Sequence, residues 1–165
     1  MRAVLSIGSN MDDRLALLRT VADDFAGQIV AASPVYATPP WGVTDQADFL
    51  NAVLIVDVDE SPLELLDRCQ RLENAAERVR VRKWGPRTLD VDIVALYDDN
   101  QPLRVRNERL TVPHPYAHER AFVLVPWQAA DPAAILEGQQ LSDHLAALDP
   151  AEVAAVRMVG NLGGE

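Results

Sequence analysis

The chain has 165 residues, of which 48% are hydrophobic, and it carries a formal net charge of −10. This length suits one well-filled core, so we expect a single domain over residues 1–165. No apolar run approaches the roughly 18 residues of a membrane span, and a single cysteine, Cys69, excludes an internal disulfide. A protein of this kind is predicted to work in the cytoplasm, without a membrane partner.

The charge is distributed unevenly along the chain. Residues 1–77 carry a net charge of −8 and residues 121–165 a net charge of −5, whereas residues 78–120 carry +3. Five of the fifteen basic side chains lie within residues 78–87. A basic segment between acidic flanks predicts a local anionic ligand, whereas a nucleic-acid-binding face normally has a broad positive potential. We therefore expect no nucleic-acid partner.

Four segments have the apolar pattern of strands, at residues 3–7, 28–37, 49–58 and 88–97. The first ends at a Gly-Ser-Asn sequence that is typical of a turn. The second is interrupted by Pro34, which predicts either an edge strand or a bent one. The fourth contains the run Ile-Val-Ala-Leu, which is apolar on both faces and indicates a central strand.

Two helices are predicted between these strands. Asp12 or Asp13 caps the first, which ends near residue 26. Ser61 and Glu64 have the spacing of a capping box at the start of the second, with proline at the first helical position. A short hairpin, a Val-Pro-His-Pro loop and a weaker helical tail follow the fourth strand. The order strand–helix–strand–strand–helix–strand predicts an α+β ferredoxin-like fold, an antiparallel sheet with helices packed on it and C-terminal elaborations.

Asp90 and Asp92 are separated by one residue in the fourth strand. Side chains two apart on a strand share a face, so both carboxylates point one way while Leu89, Val91 and Ile93 point the other. Two carboxylates, completed by phosphate oxygens and water, are a usual set of ligands for Mg²⁺. The alternative is a solvated acidic face, which the apolar continuation of the strand makes less favourable.

The loop before this strand contains Arg78, Arg80, Arg82, Lys83 and Arg87. Arginine forks pair with phosphate oxygens in a bidentate manner, and several of them in succession can follow a polyphosphate. The alternative is a solvated loop with scattered salt bridges, in which the close positive charges would repel each other unless an anion were bound. No P-loop sequence is present, so a bound nucleotide is held in another way.

Aromatic and amide side chains elsewhere suit a planar heterocycle. Trp41, Phe49 and Trp84 can supply flat apolar walls, although each of them singly is more often a core residue. Asn51 lies within an apolar strand, so a hydrogen bond to protein or to ligand is required if it is buried.

The Val-Pro-His-Pro loop supplies a further candidate for anion binding. His114 lies between two prolines, which stiffen the backbone and direct the imidazole ring. With Arg109 and Arg120, this histidine forms a second set of groups for contact with an anion. The alternative is a structural or solvated histidine, which is the commoner role of a single histidine in a loop.

Six sequence blocks occur in the order that one enzyme family shows. They are GSN, TPPWG, FLNAV, RVR, KWGPRTLDVDIV and TVPHP, and the similarity extends over residues 3–127. With these blocks the chain resembles the 6-hydroxymethyl-7,8-dihydropterin pyrophosphokinases of folate biosynthesis. The resemblance implies transfer of the β,γ-pyrophosphoryl group of ATP to the hydroxymethyl oxygen of a reduced pterin, with release of AMP. It also implies two Mg²⁺ ions, a three-layer α/β/α arrangement and a monomeric state.

The resemblance assigns roles to individual residues. It makes Asp90 and Asp92 the ligands of both magnesium ions, and Arg78 and Arg87 the catalytic phosphate-binding arginines. Further contacts to the triphosphate fall on Arg80, Lys83, His114 and Arg120. The positions that line the nucleotide site are Gln70, Glu73, Trp84, Ile93, Arg109 and Thr111. The pterin pocket corresponds to Thr38, Pro39, Pro40, Trp41, Phe49, Asn51, Trp84 and Phe122.

The chain departs from the family pattern at three positions. Glu77 stands where a glycine commonly precedes the first loop arginine, Lys83 replaces a frequent arginine, and Ala47 replaces a usual proline. None of these changes removes a catalytic group, but the first two are expected to affect loop dynamics or ATP affinity. We expect loops 37–48 and 77–87 to close over the substrates and to exclude water.

Three other functions are compatible with parts of the sequence. A ferredoxin-like regulatory module that senses a small ligand would not need a magnesium-binding pair beside an arginine loop. An RNA-binding sheet needs stacking aromatics in its first and third strands, where this chain has only Phe49. A paralogue that acts on another hydroxymethyl heterocycle would share the chemistry, and the sequence leaves it open because the pocket shape depends on loop conformation.

Overall fold

The computed structural model describes residues 1–10, 13–39, 48–78 and 89–163, with the side chain of Arg78 outside this part. The elements of the first half are β1 (Arg2–Ser9), α1 (Arg14–Asp24), β2 (Ile29–Ala32), β3 (Pro34–Thr38), β4 (Phe49–Asp57) and α2 (Pro62–Arg78). Those of the second half are β5 (Asp90–Asp98), β6 (Gln101–Leu103), β7 (Val105–Arg106), β8 (Thr111–Val112), a short 3₁₀ helix (Ala117–Glu119), α3 (Ala121–Ala130), β9 (Ile135–Leu136), β10 (Gln139–Gln140), α4 (Leu141–Ala146), α5 (Pro150–Ala154) and β11 (Arg157–Asn161).

In the described part of the chain, seven strands form the main sheet. Their order is β11–β3–β4–β1–β5–β6, with β2 also paired to β4, and every pairing is antiparallel. Helix α1 leads from β1 to the β2–β3 segment and α2 leads from β4 to β5, so that each helix connects strands separated by one intervening strand. This arrangement confirms the predicted ferredoxin-like βαββαβ fold.

Different helices cover the two faces of the sheet. On the α1–α2 face, Leu5 and Leu54 of the central strands pack with Leu18 of α1 and Leu65 of α2, all fully buried. On the opposite face, called the α3 face, a second buried cluster comprises Val4, Val53, Ile55, Val94, Ala95, Ala117, Val123, Leu124, Trp127, Ala134, Leu136 and Leu141. The sheet therefore lies between two helical layers, and the three-layer α/β/α expectation is confirmed.

The first two helices begin as the sequence predicts. The Asp13 carboxylate caps α1 by accepting a hydrogen bond from the Ala16 amide at 3.1 Å. At the start of α2, the Ser61 amide donates to Glu64 Oε1 at 3.0 Å and the Glu64 amide donates to Ser61 Oγ at 3.2 Å. These caps satisfy amides that have no partner within a first helical turn. Among the helices of the described ranges, none is long and apolar enough to cross a membrane.

The interruption predicted at Pro34 is a bend between β2 and β3. Ser33 lies at the bend, where its Oγ accepts a hydrogen bond from the Val53 amide at 2.8 Å and donates to the Pro34 carbonyl at 2.7 Å. This side chain takes the place of a ladder hydrogen bond while the chain changes direction. The strand beyond the bend, β3, is not at an edge, because β4 and β11 flank it.

Strand β5 contains a β-bulge at Val94. Leu5 of β1 pairs with Ile93, whereas the preceding Val4 pairs with Ala95, so that Val94 is an extra residue on β5. Both Val94 and Ala95 belong to the cluster on the α3 face. Side chains therefore alternate regularly before and after the bulge, but the adjacent Val94 and Ala95 both face the α3 side of the sheet.

The prediction of a weaker helical tail is only partly right. Helices α3, α4 and α5 are present, but the tail ends in β11, which joins the main sheet beside β3. Met158 and Val159 of this strand are largely exposed, so the apolar alternation that identifies a half-buried strand is weak there.

Candidate active site

Polar side chains gather on the α3 face at one end of the sheet, where β1 and β3 end and β4 and β5 begin. We call this place the site end. Strand pairing puts Asn51 of β4 and Asp90 of β5 on either side of Gly8 in β1, and Asp92 beside Ser6. The apolar cluster of the α3 face lies further along the same strands. A change from apolar to polar residues along three adjacent strands thus creates the site.

The carboxylates of Asp90 and Asp92 lie on the face that the sequence predicts for them. Leu89, Val91 and Ile93 are buried in the core of the α1–α2 face, whereas both aspartates are partly exposed. Because side chains alternate along a strand, Asp90 and Asp92 share the α3 face. The predicted sidedness of the pair is confirmed.

Helix α2 fixes the strand between the two aspartates. Glu73 Oε2 accepts a hydrogen bond from the Val91 amide at 2.9 Å. Strand β6 pairs only with residues 96–98 of β5, so this amide is not part of that ladder. The Glu73 carboxylate therefore replaces a strand partner and holds the backbone at the position from which both aspartates project.

Asn51 is buried at 4% exposure and forms the hydrogen bond that its burial requires. Its Nδ2 donates to Thr38 Oγ1 at 3.1 Å. Its Oδ1 lies over Gly8, where an added Cβ would approach that oxygen to 2.7 Å. Gly8 is therefore needed for the close approach of the Asn51 amide, and the predicted turn at this glycine is instead part of β1, which continues to Ser9.

His114 reaches β5 from the Val-Pro-His-Pro loop. Its backbone amide donates to the Val94 carbonyl at 2.9 Å, and its Nδ1 accepts a hydrogen bond from the Tyr116 amide at 3.2 Å. Burial lowers the pKa of the imidazole below its usual value; the positive charge of Arg120 acts in the same direction, and the negative charge of Asp92 opposes it. The imidazole of His114 thus lies within electrostatic range of both Arg120 and Asp92.

Arg120 lies at the start of α3 with its guanidinium near two aromatic rings. The guanidinium carbon is 5.8 Å from the centre of the Tyr116 ring and 5.7 Å from that of Phe122. Such cation–π contacts orient the planar cation without neutralising its charge. Arg120 and Phe122, assigned to phosphate and pterin by the resemblance, are therefore neighbours in the structure.

A second group of predicted residues lies on the outer side of α2. Arg109 Nη2 donates to Asp67 Oδ1 at 2.6 Å and to Gln70 Oε1 at 3.2 Å. The Arg109–Asp67 pair is about half exposed. Two predicted nucleotide-site residues, Gln70 and Arg109, are thus in direct contact, and Asp67, which sequence reasoning missed, holds the arginine. Asp67 lies three residues before Gln70 on α2, so both side chains share a helix face, and this spacing could have identified Asp67 as a neighbour of the site.

The remaining predicted residues have varied positions. Thr111 is exposed on β8, whereas the side chain of Ile93 is only 3% exposed and belongs to the core of the α1–α2 face. Phe49 pairs with Thr38 across β3 and β4, with Pro39 following directly. The residues that lie outside the described part of the chain are Pro40, Trp41, Arg80, Lys83, Trp84, Arg87 and the side chain of Arg78.

The donor set at the site end fits a magnesium ion that arrives with phosphates. Within the described ranges, no three His, Cys, Asp or Glu side chains form a ready-made metal site. Mg²⁺ commonly uses one or two carboxylates and takes its other ligands from phosphates and water. Asp90 and Asp92 meet that requirement, and they do not resemble a site for a resident structural ion.

Comparison with known proteins defines the class to which this fold and site belong. Residues 4–132 match the family model described as 7,8-dihydro-6-hydroxymethylpterin-pyrophosphokinase (HPPK). The chain therefore belongs to the HPPK family, as the sequence blocks indicated.

Relatives of the chain carry one name in several bacteria. The 2-amino-4-hydroxy-6-hydroxymethyldihydropteridine pyrophosphokinase of Mycobacterium tuberculosis is 48% identical over 167 residues, which cover 95% of this chain and 89% of the relative. The protein of the same name from Methylorubrum extorquens is 43% identical, with 94% of this chain and 98% of the relative covered. Similarity thus extends over almost the full length of both.

A solved structure has the same fold. The crystal structure of wild-type Plasmodium falciparum HPPK-DHPS matches with a TM-score of 0.63 at 15% sequence identity. The match covers 88% of this chain and 40% of that chain, so this chain spans well under half of the solved protein. At this identity the match supports the fold alone.

Proposed function

We propose that the chain transfers the β,γ-pyrophosphoryl group of ATP to the hydroxymethyl oxygen of 6-hydroxymethyl-7,8-dihydropterin, giving the pterin diphosphate and AMP in folate biosynthesis. The observation that carries this proposal is the position of the Asp90–Asp92 pair on one face at the site end, with the Asn51 amide on the other side of Gly8. His114, whose amide binds the Val94 carbonyl of β5, is a further proposed phosphate contact near Asp92. Membership of the HPPK family supports the same reaction.

The two carboxylates are the proposed ligands of two Mg²⁺ ions that enter with ATP. When bound, Mg²⁺ offsets the negative charge of the phosphates and polarises their oxygens. The chain itself holds the carboxylates in place, because Val91 between them is anchored in the core and its amide is bound by Glu73. Prior placement of charge is the main contribution that a protein makes to transfers of this type. Asp90 also accepts the proton of the pterin hydroxyl group.

Cationic side chains and His114 are the proposed contacts to the triphosphate. Arg78 and Arg87 are the proposed catalytic arginines, and Arg80, Lys83, His114 and Arg120 are further contacts. Nδ1 of His114 accepts a hydrogen bond from the Tyr116 amide, so Nε2 carries the proton that the ring can donate. His114 therefore donates to a phosphate oxygen through Nε2.

The pterin and the adenine nucleotide occupy different sides of the carboxylate pair. The proposed pterin contacts are Thr38, Pro39, Pro40, Trp41, Phe49, Asn51, Trp84 and Phe122. The proposed nucleotide contacts are Gln70, Glu73, Trp84, Ile93, Arg109 and Thr111. Asn51 supports this division, because an amide buried at the site end presents donor and acceptor groups of the kind that match the edge of a pterin ring.

The reaction products test the proposal. The chain is incubated with ATP, Mg²⁺ and 6-hydroxymethyl-7,8-dihydropterin, and the nucleotide products are separated. We expect AMP and a pterin diphosphate in equal amounts, with no AMP when the pterin or Mg²⁺ is omitted. ADP would indicate transfer of a single phosphoryl group, AMP without pterin would indicate hydrolysis, and absence of both would leave a binding role; each of these results contradicts the proposal.

Other parts of the proposal rest on the resemblance or on the composition of the sequence. By the resemblance the chain is a monomer and uses two metal ions; by its length it acts as one domain, and by its charge distribution it has no nucleic-acid partner. Light scattering measures the mass of the protein in solution, and a dimer would contradict the monomeric state. The cytoplasmic location stays a prediction.

A further inference from the structure

The C-terminal strand β11 lies next to the segment that leads into the site. It follows the region that matches the family model, which ends at residue 132. In the sheet it pairs with β3, and Arg157 is opposite Ala37. Ala37 directly precedes Thr38, the residue that accepts the hydrogen bond of Asn51. The end of the chain therefore contacts the backbone at the base of the proposed pterin pocket.

Arg157 reaches across β3 to the beginning of β4. Its Nη2 donates to Asp48 Oδ2 at 2.9 Å, and Asp48 directly precedes Phe49. A second arginine holds the same residue through its backbone, because Arg14 Nη1 donates to the Asp48 carbonyl at 2.6 Å. Asp48 is thus bound through both its side chain and its main chain, at the point where the chain enters the strand that carries Phe49 and Asn51.

Strand β11 is itself attached at its far end. Arg19 of α1 donates through Nε to the Leu162 carbonyl at 3.0 Å, and Leu162 packs against the core of the α1–α2 face. The strand therefore has a fixed position from which Arg157 acts on Asp48. A cleft of about 790 Å³ lies beside this contact and is partly lined by Arg14, Asp48 and Arg157.

The exposure of the Arg157–Asp48 ion pair limits how much free energy this contact can contribute. The side chain of Arg157 is 61% exposed and that of Asp48 is 35% exposed. Exposed ion pairs of this kind change an equilibrium by a factor of about five at most, so the pair contributes little to the stability of the whole fold. The Arg157–Asp48 pair acts locally, because Thr38 and Phe49, which flank residues 39–48, pair with each other across β3 and β4.

We propose that Arg157 is a positioning residue for the pterin, acting through Asp48 on the start of β4. Arg157 does not contact the substrate in this role. It keeps the start of β4 in the position in which Phe49 and Asn51 receive the heterocycle. This inference rests on the proposed function and extends the site to a strand outside the region of the family match.

Steady-state kinetics of Arg157→Ala test the inference. The KM for the pterin should rise about threefold to fivefold, which is the limit for an exposed ion pair, whereas kcat and the KM for ATP should change by less than about twofold. Arg157→Lys should restore part of the pterin affinity, because it keeps the charge but loses the fork. Arg104→Ala is the matched control, since Arg104 forms an exposed 2.9 Å ion pair with Glu137 and should leave all constants unchanged.

A double-mutant cycle separates action through Asp48 from other effects. Once Asp48→Ala is present, Arg157→Ala should cause no further rise in the KM for the pterin. Multiplicative effects of the two substitutions would overturn the proposal, as would a wild-type KM in Arg157→Ala. If the unaltered chain forms no pterin-dependent AMP, the proposed function fails; if it turns over normally and Arg157→Ala matches Arg104→Ala, only this inference fails.

Discussion

The two faces of the central strands differ in how far their apolar side chains extend. On the α1–α2 face the core continues to the site end with Ile7, Ala52 and Val91. On the α3 face the same strands present Asn51 and Asp92 at that end. Because alternate residues go to opposite faces, the site is built on backbone that the other face holds in place. One face can therefore be altered for chemistry while the other maintains the fold.

The largest effect on activity is expected at Asp92. Asp92→Asn keeps the shape of the side chain but removes one of the two metal-binding charges, so turnover should fall about a thousandfold, or about 4 kcal/mol in the barrier. Stability should stay the same or rise slightly, because repulsion between neighbouring carboxylates is removed. AMP formation and thermal unfolding measure the two quantities.

Asp98→Asn is the control for this substitution, since Asp98 is exposed at the opposite end of the same strand. Its turnover should remain within about twofold of the unaltered chain. Near-normal turnover of Asp92→Asn would refute the role of the pair in binding metal.

A substitution on the α1–α2 face should instead lower stability and leave the activity of the folded protein unchanged. Leu54→Ala removes a fully buried side chain and should lower the free energy of unfolding by about 2–5 kcal/mol. Activity per folded molecule should persist at temperatures below the lowered unfolding midpoint. Denaturant unfolding measures the loss, and Val30→Ala at an exposed position should change stability by less than about 0.5 kcal/mol. Loss of turnover in fully folded Leu54→Ala would show that the two faces are not independent.

Gly8→Ala alters the contact between β1 and β4 on the α3 face. The added Cβ would lie 2.7 Å from Asn51 Oδ1, so the amide must move away from Thr38. The KM for the pterin should rise several-fold, with a loss of stability of about 1 kcal/mol from overpacking. Gly160→Ala is the matched strand control, because nothing lies within 4 Å of its added Cβ. An unchanged KM in Gly8→Ala would remove Asn51 from the pterin pocket.

The smallest effect concerns Cys69 in the core of the α1–α2 face. Burial raises the pKa of its thiol to about 12, so alkylation by iodoacetamide at mildly alkaline pH should be slow in the native protein and rapid after unfolding. The unfolded thiol ionises near pH 8.5, so the stability that this group contributes is full below about that pH and is lost as the pH rises towards 12. Rapid labelling of the native protein would contradict the packing of this face.

Local sequence patterns predicted the features that depend on neighbouring residues. The capping box of α2 and the shared face of Asp90 and Asp92 follow from spacings of three and two residues, and both are present. Contacts between distant segments carry no such periodic signal. The hydrogen bond from Val91 to Glu73 and the pairing of β11 with β3 join elements far apart in the chain. Arg78, predicted to lie in the arginine loop, is the last residue of α2; the rest of that loop lies outside the described residues, and its role stays a prediction.

The bulge at Val94 determines which face of the sheet the first residues of β5 occupy. The run Ile-Val-Ala-Leu is apolar at every position, so no alternation in the sequence reveals the extra residue. If Val94 were paired as an ordinary residue of the ladder while residues 95–98 kept their pairing, Asp90 and Asp92 would turn into the α1–α2 core and Val91 would face the substrates. Deletion of Val94 would instead leave Asp92 opposite Ser6 on the α3 face, because the strand would then alternate without a bulge. The bulge therefore lets β5 contain one residue more than β1 can pair with, while both carboxylates stay on the side of the sheet where the site lies.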